Sequence, residues 1–383
     1  MLARGRTLTA GAVAALAAAL SGCATTTTTP SVTGGTLSVY VSTPPGTLDP
    51  QQQDVLSAER LAFQQAGDKV GKFTIKLIPY KGGKLSDNAR QAIGDSTTIA
   101  YLGELSPGSS ENTLGITNAE DVLQVSPTDT AVEETQHSAA VPNSPNRYYE
   151  SLSTYGRTFA RVVPTDALEA KALVGEMEAL GVKRLYVKTD GSAYGSALAH
   201  AVTSDSSGAI TPVGSPSGAD GVLYAGGSAA DAAASLNQAV SGSPSVKLFA
   251  PSALALNSFV GALSPAAQRN VYVSSPGFGS SELTPQGKQF VSAFRSAYGH
   301  APGLQAIFGY EAMAAVMAVL HEAGSSAANR NTVVHDFFKI RNRVSALGTY
   351  SIDKNGDTSI GPFVIDRVKA GQLAPYKAVQ EQG

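Results

Sequence analysis

The chain has 383 residues, 28 Lys plus Arg against 30 Asp plus Glu, and a net charge of −2. With no basic field, nucleic-acid binding loses its main driving force, and a single cysteine excludes both an internal disulfide and a cysteine-rich metal site. At 43% hydrophobic residues, with 39 glycines and 20 prolines, the sequence describes a folded, turn-rich chain with room for two domains of ordinary size.

Arg4 and Arg6 precede an uncharged Ala-, Val- and Leu-rich run from Thr7 to Leu20, too short to span a bilayer comfortably. That order of charge, apolar run and small residues is a secretory signal. Its end, Leu20-Ser21-Gly22-Cys23, resembles the bacterial lipobox, which implies a diacylglycerol on Cys23 and cleavage before it. Residues 1–23 are thus expected to be a leader. Residues 24–36, with five consecutive threonines from Thr25, are expected to be a flexible tether. The mature protein is expected outside the cytoplasmic membrane and anchored to it by lipid.

From Leu37 strands and helices alternate. Strands are expected at 37–42, 73–77, 98–102 and 122–125, and helices at 53–66, 88–93 and from Ser109 or Ser110 to about Asp121. Residues 126–157 are polar and irregular. A second alternation follows, with strands at 159–163, 184–189, 209–213, 221–225, 246–250 and 270–274. Helices are expected at 166–180, 194–204, 230–240, 254–263, 284–298 and 305–323. Residues 348–368 read as β, turning at 353–357. This pattern predicts an α/β protein with two doubly wound parallel sheets, since the strands are too many for one open sheet.

Several segments, in order, resemble the substrate-binding proteins of the branched-chain amino acid ABC transporter family. They are Tyr101-Leu102-Gly103-Glu104 with Ser106-Pro107-Gly108-Ser109-Ser110, Gln124 to Thr130, Arg161 to Asp166, Lys183 to Val187 with Asp190 to Gly195, Tyr310-Glu311-Ala312, and Leu347 to Asp357. The resemblance spans 37–376. It implies the type I periplasmic binding protein fold, two lobes joined by a three-strand hinge. Lobe one would be 37–161 plus 276–335, and lobe two 162–275 plus 344–383. It also implies a small ligand held between the lobes, delivery to ABC permease subunits, and no bond made or broken. Readings from other classes are a sensory module for a membrane signalling protein and a secreted lipoprotein hydrolase.

The resemblance further implies which residues face the ligand. Ser106, Ser109 and Ser110 end a strand and either receive an anion or cap the next helix; Pro107 stands where the family has a donating serine. Asp129 and Thr130 match a second ligand loop, with Asp129 either an anion for a ligand ammonium or a solvated turn residue. Tyr194 matches a tyrosine that closes over the ligand, or else packs at a helix start. Gly227 stands where many relatives have an aromatic, and Ser252 where amino-acid binders have an acid. Tyr310 either lines the wall of lobe one or packs its helix. Without the acid, weak binding of leucine, isoleucine and valine is expected.

No cofactor or metal is expected. His137, His200, His300, His321 and His335 lack ligand spacing. Asp353, Asn355 and Asp357 begin like a calcium loop, but Thr358 and Val364 replace its glycine and glutamate, leaving a turn.

Overall fold

The computed structural model describes residues 1–2, 31–149, 156–206 and 208–380. Most of the expected leader, with Cys23, lies outside the described residues, as do Ala24 to Pro30. The expected tether is shorter at its C-terminal end: Val32 is buried in the core and donates its N–H to the Ala328 carbonyl at 2.8 Å.

The first sheet is built from β1 (Thr36–Ser42), β2 (Lys69–Val70), β3 (Phe73–Tyr80), β4 (Thr98–Leu102), β5 (Leu123–Ser126) and β6 (Phe159–Arg161). Their order is β2-β3-β1-β4-β5-β6, parallel except for β2. Val39 lies opposite Leu77 on one side and Ala100 on the other. Connecting helices are α1 (Pro50–Ala66), α2 (Leu85–Gly94) and α3 (Leu114–Ala119). Every residue of β4 is buried, as a central strand covered on both faces must be.

The second half begins with α4 (Asp166–Ala179), β7 (Arg184–Thr189), α5 (Ala193–Asp205), β8 (Thr211–Pro212) and β9 (Gly221–Ala225). It continues with α6 (Ala229–Gly242), β10 (Lys247–Ala250), α7 (Asn257–Ala262), α8 (Pro265–Asn270) and β11 (Val271–Pro276). Next come α9 (Pro285–Tyr298), α10 (Ala306–Ala323), α11 (Arg330–Phe338), the small hairpin β12 (Arg343–Ser345) and β13 (Gly348–Tyr350), and then β14 (Pro362–Lys369) and β15 (Gln372–Gln380). The second sheet runs β15-β14-β11-β10-β9-β7-β8, with β14 and β15 antiparallel.

Helices α1, α9, α10 and α11 cover the first sheet. Phe294, Phe308, Met313, Val316, Leu320 and Phe337 share one core with Val39, Ile75 and Leu102. Burying each such side chain contributes ~1.5–3 kcal/mol. Ala346, Leu347, Tyr350 and Ile352 join this same core, although the family resemblance implies that 344 onward belongs to the second lobe. They are apolar side chains on a short hairpin that lies against α10 and not on the second sheet. The turn at 353–357 forms, but the strand expected across it ends at Tyr350. The hairpin turn lies instead at Ala370-Gly371, between β14 and β15.

Residues 127–135 depart from the polar, irregular reading in one respect. They contain only a single 3₁₀ turn at Val132–Glu134, but almost all of them are buried.

Candidate functional site

In each sheet the parallel strands end in short loops, and the loops of the two sheets face each other. This is where open α/β sheets place ligands. Loop 103–110 follows β4 and loop 127–131 follows β5. Loops 190–192, 226–228 and 251–255 follow β7, β9 and β10. The two sides touch: Gln51 Nε2 donates to the Ala255 carbonyl at 3.1 Å, and the Ser258 N–H donates to Asp49 Oδ2 at 3.3 Å. Gly108, at φ +77°, lies so close to Tyr194 that a Cβ built on it would stand 2.8 Å from the Tyr194 Cβ.

Asp129 is neither a free anion nor a solvated turn residue. It is fully buried, and its carboxylate accepts the N–H groups of Gly108 at 2.6 Å, Ser110 at 2.8 Å and Ala131 at 3.1 Å. It thus fills the anion-binding groups of loop 106–110 from within the chain. The serines of that loop are committed as well. The Ser106 N–H donates to Ser109 Oγ at 3.2 Å, while the Ser109 hydroxyl donates back to the Ser106 carbonyl. Ser110 Oγ accepts the Glu104 N–H at 3.2 Å, and Ser106 Oγ lies 3.4 Å from Gln52 Nε2. Neither serine caps α3. The Thr130 hydroxyl is buried without a hydrogen-bond partner.

Tyr194 enters from the opposite side on the first turn of α5, whose N-cap Ser192 accepts the Gly195 N–H at 2.9 Å. Only 3% of Tyr194 is exposed. Its hydroxyl makes no well-formed hydrogen bond, with Ser252 and the Ala253 backbone as polar neighbours. Burial holds this phenol well above its ordinary range, and the charges of Glu169 and Asp166 add to the effect. Gly227 lies at the same rim, its N–H donating to Asp190 Oδ2 at 2.9 Å.

Ser252 has an acid after all. Glu169, on α4, accepts the Ser252 N–H at 2.5 Å, the Ser252 hydroxyl at 2.8 Å, and the Ser274 hydroxyl. Burial pushes Glu169 up to about 7, with the three donors from Ser274 and Ser252 pulling the other way. No sequence signal pointed to it, because its partners lie on β11 and on the loop after β10. Glu104, at the end of the Tyr101–Glu104 segment, is also a buried acid, accepting the hydroxyls of Ser42 at 2.7 Å and Tyr101 at 2.5 Å. Burial likewise moves it to about 7.

Two further buried acids, Glu134 and Asp357, pair with Arg161 at the end of β6. Its guanidinium donates to the carbonyls of Asp129 and Ala131, each at 2.7 Å, and pairs with Asp357 at 3.0 Å and Glu134 at 3.7 Å. Thr135 and Gln136 also bond Asp357. Arg161 therefore ties the first passage between the sheets to the 353–357 turn, where its own N–H meets the Gly356 carbonyl at 2.9 Å.

The structure does not bring Tyr310 to this cleft. Its hydroxyl bonds Gln65 at 2.6 Å and its ring packs on Phe290, beside a separate cavity of about 320 Å³ lined by Gln65, Glu311 and Arg343. Among the described residues no group of three His, Cys, Asp or Glu could hold a metal ion.

No protein-family model matches the chain, and no curated protein matches its sequence. Solved structures do. A leucine-binding protein, LivK, from Thermotoga maritima superposes with a TM-score of 0.72 at 20% identity, over 91% of this chain and 99% of that one. The branched-chain amino acid transporter substrate-binding protein LivJ from Streptococcus pneumoniae, solved with isoleucine, gives 0.70 at 16% identity, over 90% and 100%. A solute-binding protein of an ABC transporter from R. palustris, solved with benzoate, gives 0.68 at 16% identity, over 91% and 98%. The chain has the fold these proteins share, the type I periplasmic binding protein fold.

Proposed function

We propose that this protein is an extracytoplasmic solute-binding protein. It captures a small polar organic ligand, in the size range of an amino acid, an amide or an aromatic acid, and passes it to an ABC permease. The observation that carries this reading is the meeting of loops 103–110 and 127–131 with Tyr194 and Ser252 at facing strand ends. It is supported by the fold shared with solute-binding proteins. On this reading the chain divides into lobe one, 32–161 plus 276–360, and lobe two, 162–275 plus 362–380, with the 343–350 hairpin packed on lobe one. The cleft between them is a binding site and not a catalytic one. A thermal-shift screen of amino acids, amides, amines and aromatic acids tests it. A true ligand at a hundredfold excess over its Kd stabilises by ~2.7 kcal/mol. No hit across the library, or turnover of one of its members, refutes it.

We also propose that Cys23 carries a lipid that holds the protein at the outer face of the cytoplasmic membrane. Cys23→Ser is expected to appear in the soluble fraction with an unchanged melting temperature. Retention of the variant in the membrane pellet refutes the anchor.

A further inference from the structure

We propose that the cleft selects ligands whose head group donates hydrogen bonds, a primary ammonium above all, and rejects a ligand carboxylate at loop 106–110, with Asp129 setting that preference. The inference rests on the solute-binding reading and narrows it. The backbone N–H groups of Gly108, Ser110 and Ala131 would be the donors for an anion at this place, and all three already point at the Asp129 carboxylate, at 2.6, 2.8 and 3.1 Å. An incoming carboxylate would find no free donor among them and would meet a buried negative charge.

Beside Asp129, carboxyl oxygens of Asp166 and Glu133 are buried without a hydrogen-bond partner. The Val132 N–H bonds one oxygen of Asp166 at 3.0 Å, while the other oxygen, Oδ2, is buried and unpartnered. Glu133 Oε2 and the Thr130 hydroxyl are also buried without partners, and the Tyr194 hydroxyl has Ser252 and the Ala253 backbone as polar neighbours. These groups are laced together. The Asp166 N–H donates to the Thr130 carbonyl at 2.8 Å, and Tyr194 packs in one cluster with Ala131 and Ala253. Among the described residues the buried cation nearby, Arg161, is engaged by two carbonyls, Asp357 and Glu134. An ammonium brings three N–H donors for the unpartnered oxygens of Asp166 and Glu133 and a positive charge to offset the buried acids. Burial, reinforced by neighbouring carboxylates, holds Glu133 and Asp166 above the usual carboxylate range, consistent with a site short of positive charge.

Matched probes test this by calorimetry on the full mature chain. Benzylamine is compared with benzoate, which carries a carboxylate in place of the ammonium, and isoamylamine with leucine, which keeps the ammonium and adds a carboxylate. Each amine is expected to bind at least tenfold more tightly than its carboxylate partner. Asp166→Asn is expected to weaken amine binding about tenfold. Asp129→Asn, which keeps the shape and removes the charge, is expected to bring benzoate binding up toward that of benzylamine. Equal or tighter binding of either carboxylate by the wild type overturns the inference while leaving the solute-binding reading intact. Silence from all four probes overturns it too; a hit elsewhere in the wider screen then preserves the function, and no hit at all removes both. Should Asp129→Asn fail to fold, the wild-type comparison still decides.

Discussion

Arg161 illustrates how much one side chain carries here. It satisfies two carbonyls of the cleft loop and neutralises carboxylates from two segments far apart in sequence, Glu134 and Asp357. Replacing it with Met is expected to cost ~3–5 kcal/mol in urea denaturation, since Asp357 and Glu134 would stay buried without a counter-charge. Ser252 is a second case. Seen in sequence alone, Ser252→Glu adds a missing ligand anchor. In the structure it sets a second carboxylate against Glu169, which already stands 2.8 Å from the serine hydroxyl. The variant is therefore expected to lower the melting temperature without improving leucine binding; tight leucine binding by this variant counts against the geometry. Ser252, Tyr194 and Asp129 were named by their match to ligand-facing positions of the family the sequence resembles, and the structure sets all three at strand ends that face one another. Their partners could not be named in this way, because Glu169 reaches Ser274 across 105 positions and no local pattern encodes that.

Among elements, α1 and α10 pack tightly against each other. Gly309 sits at their crossing, where a Cβ built on it would stand 2.5 Å from the Val55 carbonyl oxygen. Gly309→Ala has to push α1 away from a packed core and is expected to destabilise by about 1–3 kcal/mol, measured by chemical denaturation. Stability at or above wild type would mean that the two helices slide freely. Helices α1 and α4 were legible because apolar spacing ends at a glycine, Gly67 and Gly181. The short α8 and α11 were not. Pro265–Asn270 is only six residues long, and Arg330–Phe338 buries just Arg330, Val333 and Phe337, too few apolar positions to set a period. The β14–β15 hairpin was missed because Pro375 interrupts the pattern of β15; as an edge strand, β15 tolerates a residue with no N–H to give.

For the whole molecule, buried acids set the response to pH. Glu104 and Glu169 titrate near 7 in the fold against 4.5 when exposed. Both are neutral in both states below 4.5, so their full contribution to stability is present there. Unfolding releases protons as the pH rises above 4.5, and stability falls until the folded groups ionise near 7. Each group removes ~3 kcal/mol across that window. Glu133, Asp166 and Asp366 are raised by burial as well and act in the same direction. The melting temperature is expected to be higher at pH 5 than at pH 8, and Glu169→Gln to flatten part of the slope. A melting temperature that climbs from pH 5 to pH 8 contradicts this account.

The contacts across the cleft have a kinetic meaning. Any ligand that enters must first part Gln51 from Ala255, Ser258 from Asp49, and Gly108 from Tyr194. Capture then proceeds no faster than these contacts open. Stopped-flow traces should reach a ceiling as ligand concentration rises, in place of a straight line. The same contacts lower the apparent affinity in proportion to the fraction of molecules that stand open. Trimming Gln51 to Ala would raise that ceiling and tighten capture without touching a ligand-facing group.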